Sequence, residues 1–235
     1  MLSILENRSL LPRRTIRPKS LLLALQTSND PSRFGDFQIY KLDAMDYIGP
    51  PEIQKRLEAV RGYLPKVDRG ALRQMPDGTL GREYMRFLDD NKLNPFEISD
   101  DDHYLQEVFK RNTFAVRFTA MHDMYHLLLG FETTMPGEYS VTAFAEAQNC
   151  SLPPEIVPLF KAGFHVYKLL KPDRAKELQA GWDLGFKLGK TVRFMCDLKF
   201  EDMWERPIDD VRRELGIPDI KPQFWRHGTG PSIYA

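Results

Sequence analysis

Apolar residues recur along this chain at intervals of three and four, while the alternation that marks a β-strand barely appears. Ile53, Leu57, Val60 and Leu64 stand at i, i+4, i+7 and i+11. That spacing puts them on one stripe of a helix opened by Pro51 and closed before Pro65. Leu80, Tyr84, Phe87 and Leu88 form a second stripe in LGREYMRFLDDN. From Tyr104 to Leu129 neither Gly nor Pro interrupts the pattern, and Gly130 offers a C-terminal cap, so one long helix is predicted there. Further helices are predicted from Gly137 to about Gln148, from Pro154 to Leu170 and from Pro172 to about Lys190, with prolines at the starts of the last two. Ile208, Val211 and Leu215 stripe a short helix after Pro207, and the Gly- and Pro-rich tail after Gly216 reads as irregular. The expectation is an all-α chain, a single helical domain of roughly eight to ten helices over residues 1–235, with no internal repeat.

A chain of 235 residues can bury a substantial core. Its 33 basic and 33 acidic residues balance, which removes the electrostatic footprint of a nucleic-acid binder, so no DNA or RNA partner is expected. Cys150 and Cys196 lie outside any CxxC or CxxH spacing and read as buried free thiols in a reducing compartment, not as thiolate metal ligands. The longest apolar run, LLLAL at 21–25, is far short of the roughly 20 residues that span a bilayer. Arg8, Arg13, Arg14, Arg17 and Lys19 give the N-terminus some likeness to an organellar presequence, but Glu6 departs from that acid-poor composition. A solvated basic arm leading into a short helix is the expected form.

The stretch MHDMYHLLLGFETTMPGEYS, residues 121–140, carries the chemistry. Residues four apart share a helix face, so His122 and His126 can present two imidazoles to one ion. The connection from Phe131 to Gly137 is short enough to fold the next helix back, which brings Glu138 toward the same point in a first turn that suits a carboxylate. Asp123 lies about 100° around the helix from His122, so it is either a further ligand or a neighbouring partner or base. Two imidazoles with one or two carboxylates leave open positions on a divalent ion, an arrangement suited to Lewis-acid or oxygen chemistry. Spacing alone leaves a competing reading open, in which these are ordinary polar residues on two helices. HDMYH is not the HExxH of a zinc protease, and a metal phosphohydrolase would need more ligands than His165 and Asp173 could add.

HDxxH followed by eleven residues and Glu resembles the signature of the coenzyme Q (ubiquinone) biosynthesis protein 4 family. GTLGREYMRFLDDN, Leu129 with Gly130, GEYSVTAFAEAQ and WERPIDDVRRELGI are similar to further family blocks in the same order, over about 78–217. The chain departs from the family pattern at TAM before His122 and in the loop FETTM. The resemblance implies an all-helical fold and a divalent ion on His122, Asp123, His126 and Glu138. Zinc is the usual ion, with magnesium, manganese, iron and cobalt open. It further implies a polyprenylated aromatic precursor of a quinone as ligand, and an oxidative decarboxylation that replaces a ring carboxyl by a hydroxyl, with Asp123 as ligand or base. An alternative is a non-catalytic scaffold that binds a prenyl lipid and organises other quinone-biosynthesis enzymes. Members of the family are peripheral membrane proteins, on the matrix side of the mitochondrial inner membrane in eukaryotes, and peripheral or cytoplasmic in bacteria. A homodimer is also expected. Arg117 resembles a family arginine that would meet the substrate's anionic group, against the competing reading of a solvated arginine in a helix salt bridge. His165 reads as a packing histidine, and Trp182, Phe186 and Trp204 as core.

Overall fold

A computed structural model of the chain describes residues 15–64, 67–93, 98–99, 102–150, 153 and 156–218. Arg8, Arg13 and Arg14, the Pro154 helix start and the tail beyond 218 lie outside the described residues. Eleven α-helices form, and no β-strand is present among the described residues. They are α1 (Pro18–Thr27), α2 (Phe34–Ala44), α3 (Pro51–Leu57), α4 (Arg69–Gln74), α5 (Leu80–Asn91), α6 (His103–Arg111), α7 (Thr113–Leu129), α8 (Met135–Ala147), α9 (Val157–Leu170), α10 (Ala175–Thr191) and α11 (Ile208–Leu215). The all-α single domain agrees with the periodicity. The helix count exceeds the expectation because two helices, α2 and α4, carry no stripe strong enough to stand out, and because the long helix predicted from Tyr104 to Leu129 is two.

The break falls at Asn112. Its side-chain oxygen accepts the Ala115 amide at 3.0 Å and its amide donates to the Tyr47 carbonyl, so the residue caps α7 instead of continuing α6. The helix opened by Pro51 also stops short: it tightens into a 3-10 turn at Glu58–Val60 and then reverses at Gly62, whose φ of 71° is left-handed. Leu64 therefore lies beyond it.

α7 is the central element. All of its seventeen residues but Phe118, Ala120 and His122 are buried. Its N-terminal half, through Phe114, Ala115 and Val116, packs into one apolar cluster with α2, α3 and α6. Its C-terminal half, through Met121, Met124, Tyr125 and Leu127 to Leu129, packs into a second with α5, α8, α10 and α11. Burial of this many apolar side chains is the main drive toward the fold. Arg212 of α11, itself buried, donates to the carbonyls of Leu127 and Leu128 and so satisfies the last turn of α7 from outside.

α8 and α10 cross at backbone contact. A Cβ on Gly185 would lie 2.1 Å from the Ser140 carbonyl oxygen, and one on Gly189 would lie 2.5 Å from that of Phe144, so only glycine permits the approach. Cys150 and Cys196 are buried free thiols, as their spacing predicts. Two expectations fail: Phe186 is 40% exposed, and His165 is exposed on α9 where a packing histidine was predicted. α9 docks through its other face, so His165 points away from the bundle.

Candidate metal centre

The site is built where α7 ends and α8 begins. Gly130 ends α7 with a φ of 72°, and the amides of Gly130 and Phe131 both turn back to the His126 carbonyl. The loop then runs under the start of α8. A Cβ on Gly137 would sit 1.7 Å from the Glu132 carbonyl oxygen, so the loop backbone occupies the space a side chain would need. This close approach fixes the first turn of α8, and Glu138 with it, opposite the histidine face of α7.

His122 Nε2 lies 3.2 Å from Glu138 Oε2, and His126 Nε2 lies 3.3 Å from Glu138 Oε1. The two imidazole centroids are 4.9 Å apart. His122, His126 and Glu138 thus bring three ligand atoms within 4.8 Å of one another. Donors about 2.0–2.1 Å from a tetrahedral ion stand about 3.3 Å from each other; the two imidazole–carboxylate separations are of that size, one to each oxygen of Glu138, and the His122 contact is also a hydrogen bond.

His126 is the best evidence that a cation fits. Its Nδ1 donates to the Phe131 carbonyl at 3.2 Å, which assigns the lone pair to Nε2. That nitrogen is buried without a hydrogen bond, because its approach to Oε1 is off the hydrogen-bonding line. An imidazole lone pair facing a carboxylate oxygen is repulsive unless positive charge lies between them. Phe87 stacks on the ring and holds its plane, with centroids 6.2 Å apart. The set of two imidazoles and one carboxylate suits a divalent ion with open positions.

Asp123 is not part of this convergence. It is 4% exposed, accepts a 3.0 Å hydrogen bond from the Tyr84 hydroxyl, and places Oδ1 3.7 Å from His122 Nδ1, behind the ring. Of the roles expected for Asp123, a further ligand or a neighbouring partner or base, its position is that of a neighbour: its helix angle turns it to the far side of His122, outside the three converging donors. Tyr84 is itself held by stacking on Trp204, which is partly buried against the core.

Charge in the site follows from these contacts. Burial alone would lower the His122 pKa, but the Asp123 and Glu138 carboxylates outweigh it and raise the value to about 9. Burial would raise that of Glu138, yet the His122 imidazole facing it outweighs burial and holds the carboxyl far below the usual carboxylate range. A proton on His122 supplies positive charge beside the two carboxylates.

Arg117 requires a correction. It is fully buried, pairs with Glu201 at 2.8 Å, and donates to the Leu198 carbonyl, between the rings of Tyr63 and Phe200. It is neither solvated nor available to a substrate anion; five residues before His122 on a helix buried nearly all round, it faces the core. Sequence reasoning missed Tyr84 as the partner of Asp123, Phe131 as the acceptor from His126, and Gly137. Only Gly137 carried a local signal, since a glycine inside a predicted first turn asks for a packing reason.

Comparison with known proteins agrees with the motif. Residues 63–221 match the family described as coenzyme Q (ubiquinone) biosynthesis protein Coq4. The mitochondrial ubiquinone biosynthesis protein COQ4 homolog of Xenopus laevis is 35% identical over 179 residues, covering 73% of this chain and 59% of that protein. The Homo sapiens homolog of the same name is 34% identical over 155 residues, covering 64% of this chain and 55% of that one. The chain thus spans somewhat over half the length of these relatives. A crystal structure from Nostoc punctiforme, provisionally described as a ubiquinone biosynthesis protein, shares the fold with a TM-score of 0.60 at 24% identity, covering 87% of this chain and all of that one.

Proposed function

Because the chain belongs to the coenzyme Q (ubiquinone) biosynthesis protein Coq4 family, we propose that it binds one divalent ion, zinc foremost, and a polyprenylated aromatic quinone precursor beside it. The proposed reaction is the oxidative decarboxylation in which the ring carboxyl leaves as carbon dioxide, water supplies the oxygen of the hydroxyl that replaces it, and a two-electron acceptor from outside the chain takes the electrons. The observation that carries this reading is the convergence of His122, His126 and Glu138 around a buried imidazole nitrogen that has no hydrogen bond.

When bound, the ion supplies a Lewis acid for an oxygen of the ring's carboxyl or phenol. The remaining work falls to the side chains. His126 is fixed by Phe131 and nearly inaccessible, whereas His122 and Glu138 are partly exposed, so a ring would enter over those two. Asp123 acts as a positioning residue: held by Tyr84, it keeps the Nδ1 proton of His122 on the far side and its Nε2 toward the ion. Of the roles expected from the sequence, ligand, neighbouring partner or base, the proposal takes the neighbouring partner.

A precursor with an isoprenoid tail resides in a bilayer, so the proposal includes peripheral contact with a membrane, the inner mitochondrial membrane in a eukaryote. Among the described residues no helix is long and apolar enough to cross one. The test is turnover of a prenylated hydroxybenzoate, with loss of the carboxyl followed by mass. His122→Ala combined with His126→Ala should abolish conversion, and conversion retained by that double variant would overturn the reading.

A further inference from the structure

Two free thiols, Cys150 and Cys196, stand far apart in the chain and meet inside the fold. They are 1% and 0% exposed, and both belong to the apolar cluster around the N-terminal half of α7. Gln148, the C-terminal cap of α8, brings them together. Its amide donates to the carbonyls of Val192 and Arg193 at 3.2 and 2.9 Å, and its side-chain oxygen accepts the Met195 amide at 3.0 Å. The segment leading to Cys196 is thus pinned to the turn leading to Cys150. The Cys196 thiol facing Cys150 raises the pKa of that group, and burial raises it further. The Tyr125 hydroxyl of α7 lies beside both sulfurs. Neither thiol belongs to the metal centre, whose converging donors are His122, His126 and Glu138.

A single buried thiol is inert, because the thiolate is the reactive form and apolar surroundings disfavour it. A facing pair has a further option, since each sulfur can resolve the other once an oxidant has reached one of them. Cys150 is the one within reach. It lies near Arg56, whose side chain is 51% exposed, stacks on Phe194 and pairs with Asp197 at 3.8 Å. Between Thr191 and Phe200 the chain forms no helix, so this cover opens at lower cost than the helices around it. We infer that Cys150 and Cys196 are a redox-sensitive staple, which closes to a disulfide in an oxidising setting and locks the segment from Val192 to Asp202 onto the end of α8.

Closure takes two exchanges with a low-molecular-weight disulfide. The Cys150 thiolate attacks one reagent sulfur, the reagent S–S bond breaks, and one reagent thiol leaves. The Cys196 thiolate then attacks the Cys150 sulfur of the mixed disulfide and expels the second reagent thiol. Two electrons pass from the protein to the reagent, and the two protein protons end on the reagent thiols. The locked segment carries the Leu198 carbonyl and the Glu201 carboxylate that hold Arg117, so closure secures a wall against which α7 packs. It also restricts the unfolded chain across a long loop, which stabilises the fold. None of this rests on the metal reading.

The experiment equilibrates the full chain in mixtures of reduced and oxidised glutathione, approached from both the reduced and the oxidised side, natively and in urea. Acid quenching, alkylation and intact mass count the thiols, and peptide mapping identifies the link. The native chain should lose the mass of two hydrogens through a bond between Cys150 and Cys196, and neither Cys150→Ser nor Cys196→Ser should form it. The equilibrium constant for closure should be roughly a hundredfold larger natively than in urea, and the linked form should unfold at higher urea than the reduced form. A constant no larger in the native chain than in urea overturns the inference, because the fold would then hold the two sulfurs no nearer than an unfolded chain does. So do native thiols that stay unlinked at equilibrium, glutathione adducts without a link, or bonds between two chains.

Discussion

Asp123 and Glu138 are carboxylates beside the same pair of histidines, yet their surroundings give them different work. Glu138 spans both Nε2 atoms, while Asp123 is buried behind His122 on the Tyr84 hydroxyl. Glu138→Ala should therefore lose the ion and activity together. Asp123→Asn, nearly isosteric, should keep most of the ion and lose turnover, since groups that orient a ligand can be removed at a cost of about 10–100-fold in affinity. Metal content and turnover on the same preparations check both, and complete loss of metal from Asp123→Asn would make it a ligand after all. The same residues set a pH dependence. His122 has a pKa raised from 6.5 to about 9 in the metal-free protein, so its protonation stabilises that form fully below about 6.5 and the contribution fades as pH rises through about 9. An incoming ion must displace this proton. Apparent affinity for cobalt(II), followed by its absorption, should rise about tenfold per pH unit until about pH 9, and an affinity independent of pH over that range would contradict the assignment.

At the scale of elements, two glycines separate what holds the fold from what holds the site. Gly137 and Gly185 each meet a backbone carbonyl so closely that a methyl group forces movement. Gly137→Ala pushes the loop off the first turn of α8 and should displace Glu138, lowering both stability, by about 2 kcal/mol or more, and ion affinity. Gly185→Ala disturbs the crossing of α8 and α10 and should cost a similar amount of stability while leaving the affinity of the folded protein nearly unchanged. Chemical unfolding with and without the ion distinguishes the two, and equal effects on affinity would remove Gly137 from the site's support. Helices with a strong one-sided stripe, such as α5 and α11, were legible in the sequence. α7 was legible in extent only from its C-terminal cap, because a helix buried on nearly all sides has no stripe and Asn112 is a break only if its amide finds Tyr47.

Across the whole molecule, the sequence carried the all-α architecture and the approach of Glu138 to the histidines, since helical periodicity and a short loop are local facts. What it could not carry depends on partners far away in the chain. Arg117 was unreadable without Glu201, 84 residues on, and the role of Asp123 was unreadable without Tyr84, 39 residues before. The resemblance implies a ligand quartet; packing brings His122, His126 and Glu138 together and sets Asp123 beside His122 on the Tyr84 hydroxyl. Native mass spectrometry of the purified full chain tests this centre most directly. The account predicts a mass increment of one divalent ion per chain in the wild type and none in His126→Ala with Glu138→Ala, at unchanged helical content; a wild type without an ion, or a double variant that keeps it, would contradict the account.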